Sequence, residues 1–382
     1  MPERLHPALN DAWAAIDNRQ LEEILLESLA IYSPSGKEED VQDYYAGLLS
    51  SAGFIVGRQT VEPGRDNLLV TLGAQAPRLL LVGHVDTVPA WDLNDMEPSI
   101  KNRVISGLGA ADMKGGCAAM IAAMLALKKS VPYAELPPVG LLLVVDEEEN
   151  GDGSNAYLAD HPLPEWAVIG EPTSLSACFE HYGYLEISLS TRGRRIHSSL
   201  PELGHNAIES MLRLLLQFGR APLFDRSDGN LVYSIREMTS SRAGFVVPDT
   251  CEAWIDVHLP PQHPLNEVKQ QVRALCAAAE EQIEGLNLDV SFPFRAAGYR
   301  IGRNNPLATT LTDTFPHLGR TLKFEAFRSH SDGNLFHRAG VKPLILGPGA
   351  LETAHTPDEQ VKMDEVEMAA RIYTALCLGV TG

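Results

Sequence analysis

Apolar residues follow two different rhythms along this chain, and the change between them marks its organisation. In the first half, "NLLVTLG", "RLLLVGH", "GLLLVVDEE" and "WAVIGEP" are short, nearly unbroken apolar runs, the signature of strands covered on both faces. Around them, "NRQLEEILLESLAIY", "EEDVQDYYAGLLSSAG" and "GGCAAMIAAMLALKKS" space their apolar residues as helices do, the second ending at Gly53. This alternation predicts an α/β domain with a mixed, largely parallel sheet flanked by helices. Near residue 178 the rhythm becomes strict alternation in "YLEISLSTRGR", which predicts a sheet with one wet face. A helix "NAIESMLRLLLQFG", strands "NLVYSIREMTS" and "TCEAWIDVHLP", a helix "LNEVKQQVRALCAAAEEQI" and a strand "NLDVSFPF" follow. That β-α-β-β-α-β order predicts an inserted ferredoxin-like domain. The α/β pattern resumes with "NPLATTLTDTF", "KPLILGPG" and "DEVEMAARIYTALCLG". The expected domains are therefore 1–177 with 297–382, and 178–296 between them.

Length agrees with two domains, because 382 residues exceed what one core usually supports. With 31 Lys and Arg against 50 Asp and Glu, the net charge is -19, which argues against a nucleic-acid partner. Five scattered cysteines without a Cys-x-x-Cys pair suit reduced thiols, and "MPERLHPALNDAW" does not read as a secretion signal. No apolar run reads as a membrane span, so a soluble cytoplasmic protein is expected.

The ends of the apolar strands carry the chemistry. "LLVGHVDTVPAW" closes a strand on His84 and Asp86, "GAADMKGG" carries Asp112, "VVDEEENG" carries Glu147 and Glu148, "IGEPTS" carries Glu171 and "ETAHTPDE" carries His355. Singly each has a plain structural explanation: Asp112 as a helix cap, the run from Asp146 to Glu149 as a solvated loop. A parallel sheet, however, gathers its strand ends at one edge. Two histidines and three carboxylates converging there suit a pair of divalent cations, zinc best of all. Such ions lower the pKa of a water between them, and a further carboxylate of the Glu147–Glu148 pair can take its proton. "GLGAAD", residues 107–112, mimics the start of a dinucleotide-binding loop, but Asp112 stands at its third glycine position and the strand before it is short.

Together "GHVDTVP", "GLGAADMKGG", "DEEENG", "GEPTS", "RIHSSLPELGHNAI" and "LGPGALETAHTPDE" resemble the co-catalytic zinc metallopeptidase and deacylase family of acetylornithine deacetylase, succinyl-diaminopimelate desuccinylase and carboxypeptidase G. The resemblance covers nearly the whole chain and is nearest the acetylornithine deacetylase branch. It implies a zinc-exopeptidase-like catalytic domain with two ions, zinc or alternatively cobalt. His84 and Glu171 would hold one, Glu148 and His355 the other. Asp112 would bridge them, followed by a cis peptide to Met113. Asp86 would orient His84 from behind, and Glu147 would be the general base. The inserted domain would make a homodimer, in which His197 reaches the partner's site to polarise the scissile carbonyl.

Three positions depart from family members that grip an α-carboxylate. A basic residue before glycine is replaced by His181 and Tyr182, an asparagine by Phe245, and the end of an Asp-x-Arg strand by His258. Each change removes a contact worth about 1.5–3 kcal/mol in a dry site. The expected substrate is a small N-acylated amino acid or amine, less anionic or more apolar than acetylornithine. Arg328, or Arg192, Arg194 and Arg195, are alternative anion grips. The same metals would also serve a dipeptidase or carboxypeptidase, and a non-catalytic binding protein is the remaining alternative.

Overall fold

A computed structural model describes residues 6–90, 97–225, 231–242 and 244–380. The chain forms two compact units, one of residues 1–179, 301–325 and 331–382, the other of residues 180–300 and 326–330. The boundaries fall a few residues from those expected at 178 and 297. In addition, the segment 326–330 belongs to the second unit. Its Phe327 carbonyl accepts the Tyr182 amide at 2.9 Å, and the Phe327 ring packs on His181.

In the first unit the sheet runs in the order Gly57–Glu62, Arg65–Leu72, Val139–Val144, Leu79–His84, Trp166–Ile169 and Lys342–Ile345. The last four are parallel to one another, and the first two form an antiparallel edge. Leu79–His84, Val139–Val144 and Trp166–Ile169 are buried at every residue, as continuous apolar runs require. Helices Gly115–Ser130 and Met363–Gly379 pack on each other and on this core. The helical stretch Ala110–Ser130, though interrupted by Asp112 and Lys114, is by length and composition long and apolar enough to cross a membrane. It is 94% buried within the fold, however, and serves as a core helix.

That helix lies tight against the sheet. A Cβ on Gly116 would stand 2.4 Å from the Gly170 carbonyl oxygen, so glycine sets how closely the start of the helix approaches the end of the Trp166–Ile169 strand. The same approach brings Asp112 and Glu171, which flank the two glycines, to one edge of the sheet.

The second unit is an antiparallel sheet ordered Val232–Ser240, Thr250–Leu259, Gly183–Arg192 and Asn287–Ser291. In chain order this is second, third, first, fourth, with helices Ala207–Phe218 and Leu265–Gln282 between strands, the ferredoxin-like arrangement. Leu185, Ile187 and Leu189 alternate into its core as the sequence rhythm requires.

Gly116→Ala should destabilise the protein by about 1–3 kcal/mol through overpacking. A thermal melt of the variant is expected to show a lower midpoint; an unchanged midpoint would mean that the helix can move away from the sheet at no cost.

Candidate metal centre

Adjacent parallel strands deliver most of the acidic and histidine residues. His84 is the last residue of its strand, Glu147 and Glu148 follow Val139–Val144, and Glu171 follows Trp166–Ile169 through Gly170. Asp112 comes from the turn before helix Gly115–Ser130, where the Asp112–Met113 peptide is cis. His355 comes from the loop after Lys342–Ile345. The positions anticipated as metal ligands therefore converge within the first unit.

They converge as two overlapping triads. His84, Asp112 and Glu171 offer ligand atoms all within 4.8 Å of one another, and so do Asp112, Glu148 and His355. Asp112 belongs to both. Its Oδ1 lies 3.1 Å from His84 Nε2, and its Oδ2 lies 3.4 Å from His355 Nε2. His355 Nε2 is also 3.0 Å from Glu148 Oε1, while Glu171 Oε2 and Glu147 Oε2 each stand 3.9 Å from His84 Nε2. His84 is 1% exposed and Glu171 3%, whereas the His355 side chain is 48% exposed, so the site opens on the His355 side.

The electrostatics are those of anions buried with too few cations. Burial, together with neighbouring carboxylates, pushes Glu147 and Glu171 well above the usual carboxylate range and raises Glu148. Burial alone would lower both imidazoles, but hydrogen bonds to Asp112 outweigh it, raising His84 well above its ordinary value and His355 to about 11. Burial likewise works against the Asp112 charge, yet its two histidine partners hold it well below the carboxylate range. The buried Glu171 Oε1 has no hydrogen-bond partner. A divalent cation in each triad would supply the missing charge and the missing partner, so the donor set fits two such ions.

The supports of this set differ in part from what sequence suggests. His84 Nδ1 lies 3.0 Å from the Asp86 backbone carbonyl and 3.6 Å from the Asp86 carboxylate. The ring N–H therefore donates to the carbonyl, which leaves Nε2 free as a ligand atom. The Asp86 carboxylate, expected to orient His84, also holds other groups: it accepts from Ser35 Oγ at 2.8 Å and from the Glu147 and Glu148 amides at 3.2 and 3.1 Å. It fixes the backbone of the glutamate pair.

Asp146, read as one end of a possibly solvated run, is 2% exposed and sits at φ 67°. Arg65 Nη2 lies 2.6 Å from both Asp146 Oδ1 and the buried Glu38 Oε1, while Asp146 accepts the amides of Asn150 and Asp152. Asp332, buried at the start of helix Asp332–Arg338, adds to the negative field on Glu147. None of Arg65, Glu38 or Asp332 stood out in the sequence. A single arginine in "EPGRDN" looks like any surface turn, and only the long-range pairing reveals it.

The remaining candidates lie in the second unit. His197 is exposed, with Nδ1 2.7 Å from Ser199 Oγ, and its strand-like segment pairs with Val246. Beside it, the Phe245 carbonyl accepts the Ser198 amide; Phe245 is 85% exposed at φ 57°. His258 packs on Tyr184, which in turn meets Phe294 and His330, and burial with the nearby Arg328 charge lowers the His258 pKa. Tyr182 follows His181, whose Nδ1 is 2.7 Å from the Tyr182 carbonyl oxygen. The alternative grips are otherwise engaged: Arg192 pairs with Asp289, Arg195 with Asp249, and Arg194 donates to the Leu203 carbonyl.

Known proteins place the chain in a family. It is 30% identical to a probable carboxypeptidase of Aspergillus terreus, over 96% of this chain and 90% of that protein. It is 28% identical to acetylornithine deacetylase of Vibrio cholerae, over 88% and 90%. A tripeptidase from Staphylococcus aureus shares the fold with a TM-score of 0.81 at 21% identity, covering 96% of this chain and all of that one. Residues 80–379 match the model described as peptidase family M20/M25/M40, and the chain belongs to that family of hydrolases.

Proposed function

We propose that this protein is a metal-dependent amide hydrolase that removes the acyl group from a small N-acylated amino acid or amine. The observation that carries this is Asp112, whose two oxygens face the histidines of two different triads while Glu147 stands beside them outside both. His84, Asp112 and Glu171 would hold one ion, and Asp112, Glu148 and His355 the other, with zinc the first choice and cobalt the alternative. Bound there, such ions acidify water and polarise a carbonyl oxygen.

The chain's own residues supply the proton handling. Glu147 Oε takes the proton of the attacking water and returns it to the departing amine nitrogen. Asp86 keeps the Glu147 and Glu148 amides in place, so the base cannot drift from the ligands beside it. In this reading the unit of residues 1–179, 301–325 and 331–382 is the catalytic domain of a cytoplasmic enzyme, and the unit of residues 180–300 and 326–330 is an inserted dimerisation domain. Two features support the homodimer. Strand Val232–Ser240 is a sheet edge exposed along nearly its whole length, including Val232, Ile235 and Met238. Leu212 and Leu216, one turn apart on helix Ala207–Phe218, are exposed as well. The partner subunit's His197 would then polarise the scissile carbonyl.

For the substrate, Phe245, His258 and Tyr182 replace charged or amide groups with aromatic ones, which favours an apolar or weakly anionic moiety. One observation favours the exopeptidase alternative. Arg328 is exposed and, among the described residues, has no hydrogen bond or ion pair, which leaves it free to hold a terminal carboxylate. The carboxypeptidase name of the Aspergillus relative agrees with that alternative.

A panel of N-acyl amino acids, carboxylate-free N-acyl amines and dipeptides, with amine release read by mass spectrometry, separates these substrates. Turnover is expected to concentrate in the less anionic amides; preference for dipeptides that is lost in Arg328→Ala would establish the exopeptidase. On the best substrate, Glu147→Gln should lower kcat about 10²- to 10⁴-fold with zinc content unchanged. A loss smaller than tenfold would remove Glu147 as the base. Mixing Glu147→Gln with His197→Ala subunits should restore activity that neither variant has alone, because one site of the mixed dimer combines an intact Glu147 with the partner's His197. No restoration in a confirmed mixed dimer would contradict the shared site.

A further inference from the structure

The loop "GLGAAD" that imitates a nucleotide-binding turn is an anion-binding turn, and its anion belongs to the protein. Glu359 is 3% exposed, and its carboxylate accepts three backbone amides of this loop. Gly109 donates to Oε2 at 3.1 Å, while Ala111 and Asp112 both donate to Oε1 at 3.0 Å. Gly109 has φ 84°, the left-handed conformation that turns successive N–H groups toward one point. Without Glu359 these buried donors would lack partners, a state that folded chains avoid.

The same residue also reaches the second histidine. Glu359 lies four positions after His355, and its backbone carbonyl accepts the Gly107 amide at 3.2 Å. The following strand Gln360–Lys362 pairs with Val104–Ser106, which leads into the loop. Side chain and backbone of one residue therefore tie the His355 segment to the Asp112 segment.

We infer that Glu359 is a positioning residue that sets Asp112 against His355 and so builds the more exposed of the two metal triads. The inference rests on the two-ion reading above. The triads depend on it unequally. His84 and Glu171 are placed by buried parallel strands whatever the loop does, whereas His355 sits in a half-exposed loop at φ 60°. Removing the Glu359 carboxylate should therefore weaken the ion at His355 more than the ion at His84, which is disturbed only through the shared Asp112.

The test is a zinc titration of the full-length, metal-stripped chain against a chelating dye, in wild type and in Glu359→Gln and Glu359→Ala. Wild type is expected to take up two zinc ions. In Glu359→Gln one should bind about 10- to 100-fold more weakly, as is usual when a support behind a ligand is lost, and the other should be weakened clearly less. Glu359→Ala should be worse than Gln, which can keep the Oε1 acceptor for Ala111 and Asp112. Hydrogen exchange, a readout that needs no activity, should show the Gly109 amide losing protection in Glu359→Gln and all three in Glu359→Ala. If these variants do not fold, Glu359→Asp keeps the charge with a shorter reach and should weaken the same ion more than the other. Two ions bound as in wild type, or equal weakening of both, would overturn the role of Glu359 and leave the two-ion reading standing. A wild-type chain that takes up no zinc would overturn that reading and this inference together.

Discussion

Charge burial is the constraint on which the rest of this structure depends. Asp112, Glu147, Glu148 and Glu171 crowd one edge of a parallel sheet with His84 and His355 among them. Isolated carboxylates are costly to bury, so such a cluster persists only where something compensates it. Cations of the right size would supply the charge, and the protein's task would then be to hold the candidate ligands where those cations fit. The sharing of Asp112 between two triads follows, since one carboxylate facing two histidines lets two ions sit close with fewer buried anions.

The groups behind the ligands show how that task is met. Asp86 takes the amides of Glu147 and Glu148, Arg65 holds Asp146 at the entrance to the same loop, and Glu359 takes the amides before Asp112. All three are long-range contacts between a charged side chain and a ligand-bearing loop. Each converts an irregular segment into one with a single arrangement. A catalytic constellation needs that rigidity, because a displacement of about 1 Å is enough to cost most of the rate. The tight seat of Gly116 against Gly170 serves the same end by packing rather than by charge.

The ligand-bearing positions were legible in the sequence for a physical reason. Buried parallel strands read as unbroken apolar runs, so His84 and the acidic residues just beyond such runs stand out against them, and a parallel sheet must bring those ends together. The inserted unit was legible because its strands alternate. The supports were not, because Arg65, Glu38, Glu359 and Asp332 are ordinary charged residues locally and acquire meaning only through partners distant in the chain. Asp86 stood out beside His84, but its second set of contacts did not: its carboxylate lies 3.6 Å from His84 Nδ1 and also accepts the Glu147 and Glu148 amides. "GLGAAD" was set apart from nucleotide loops by Asp112 and its short strand, but the Glu359 carboxylate on its amides could not be seen without the fold. The segment 326–330 was likewise assigned with its sequence neighbours, since only its pairing beside Tyr182 places it with the second unit.

The centre stands or falls on whether Asp112 is shared. A crystal structure of the zinc-loaded protein, with anomalous scattering measured at the zinc edge, addresses this directly. Two peaks are predicted, one on each side of Asp112, with each carboxylate oxygen at about 2.0–2.2 Å from its own ion. A single peak, or two that leave Asp112 bound to only one ion, would contradict the bridging arrangement.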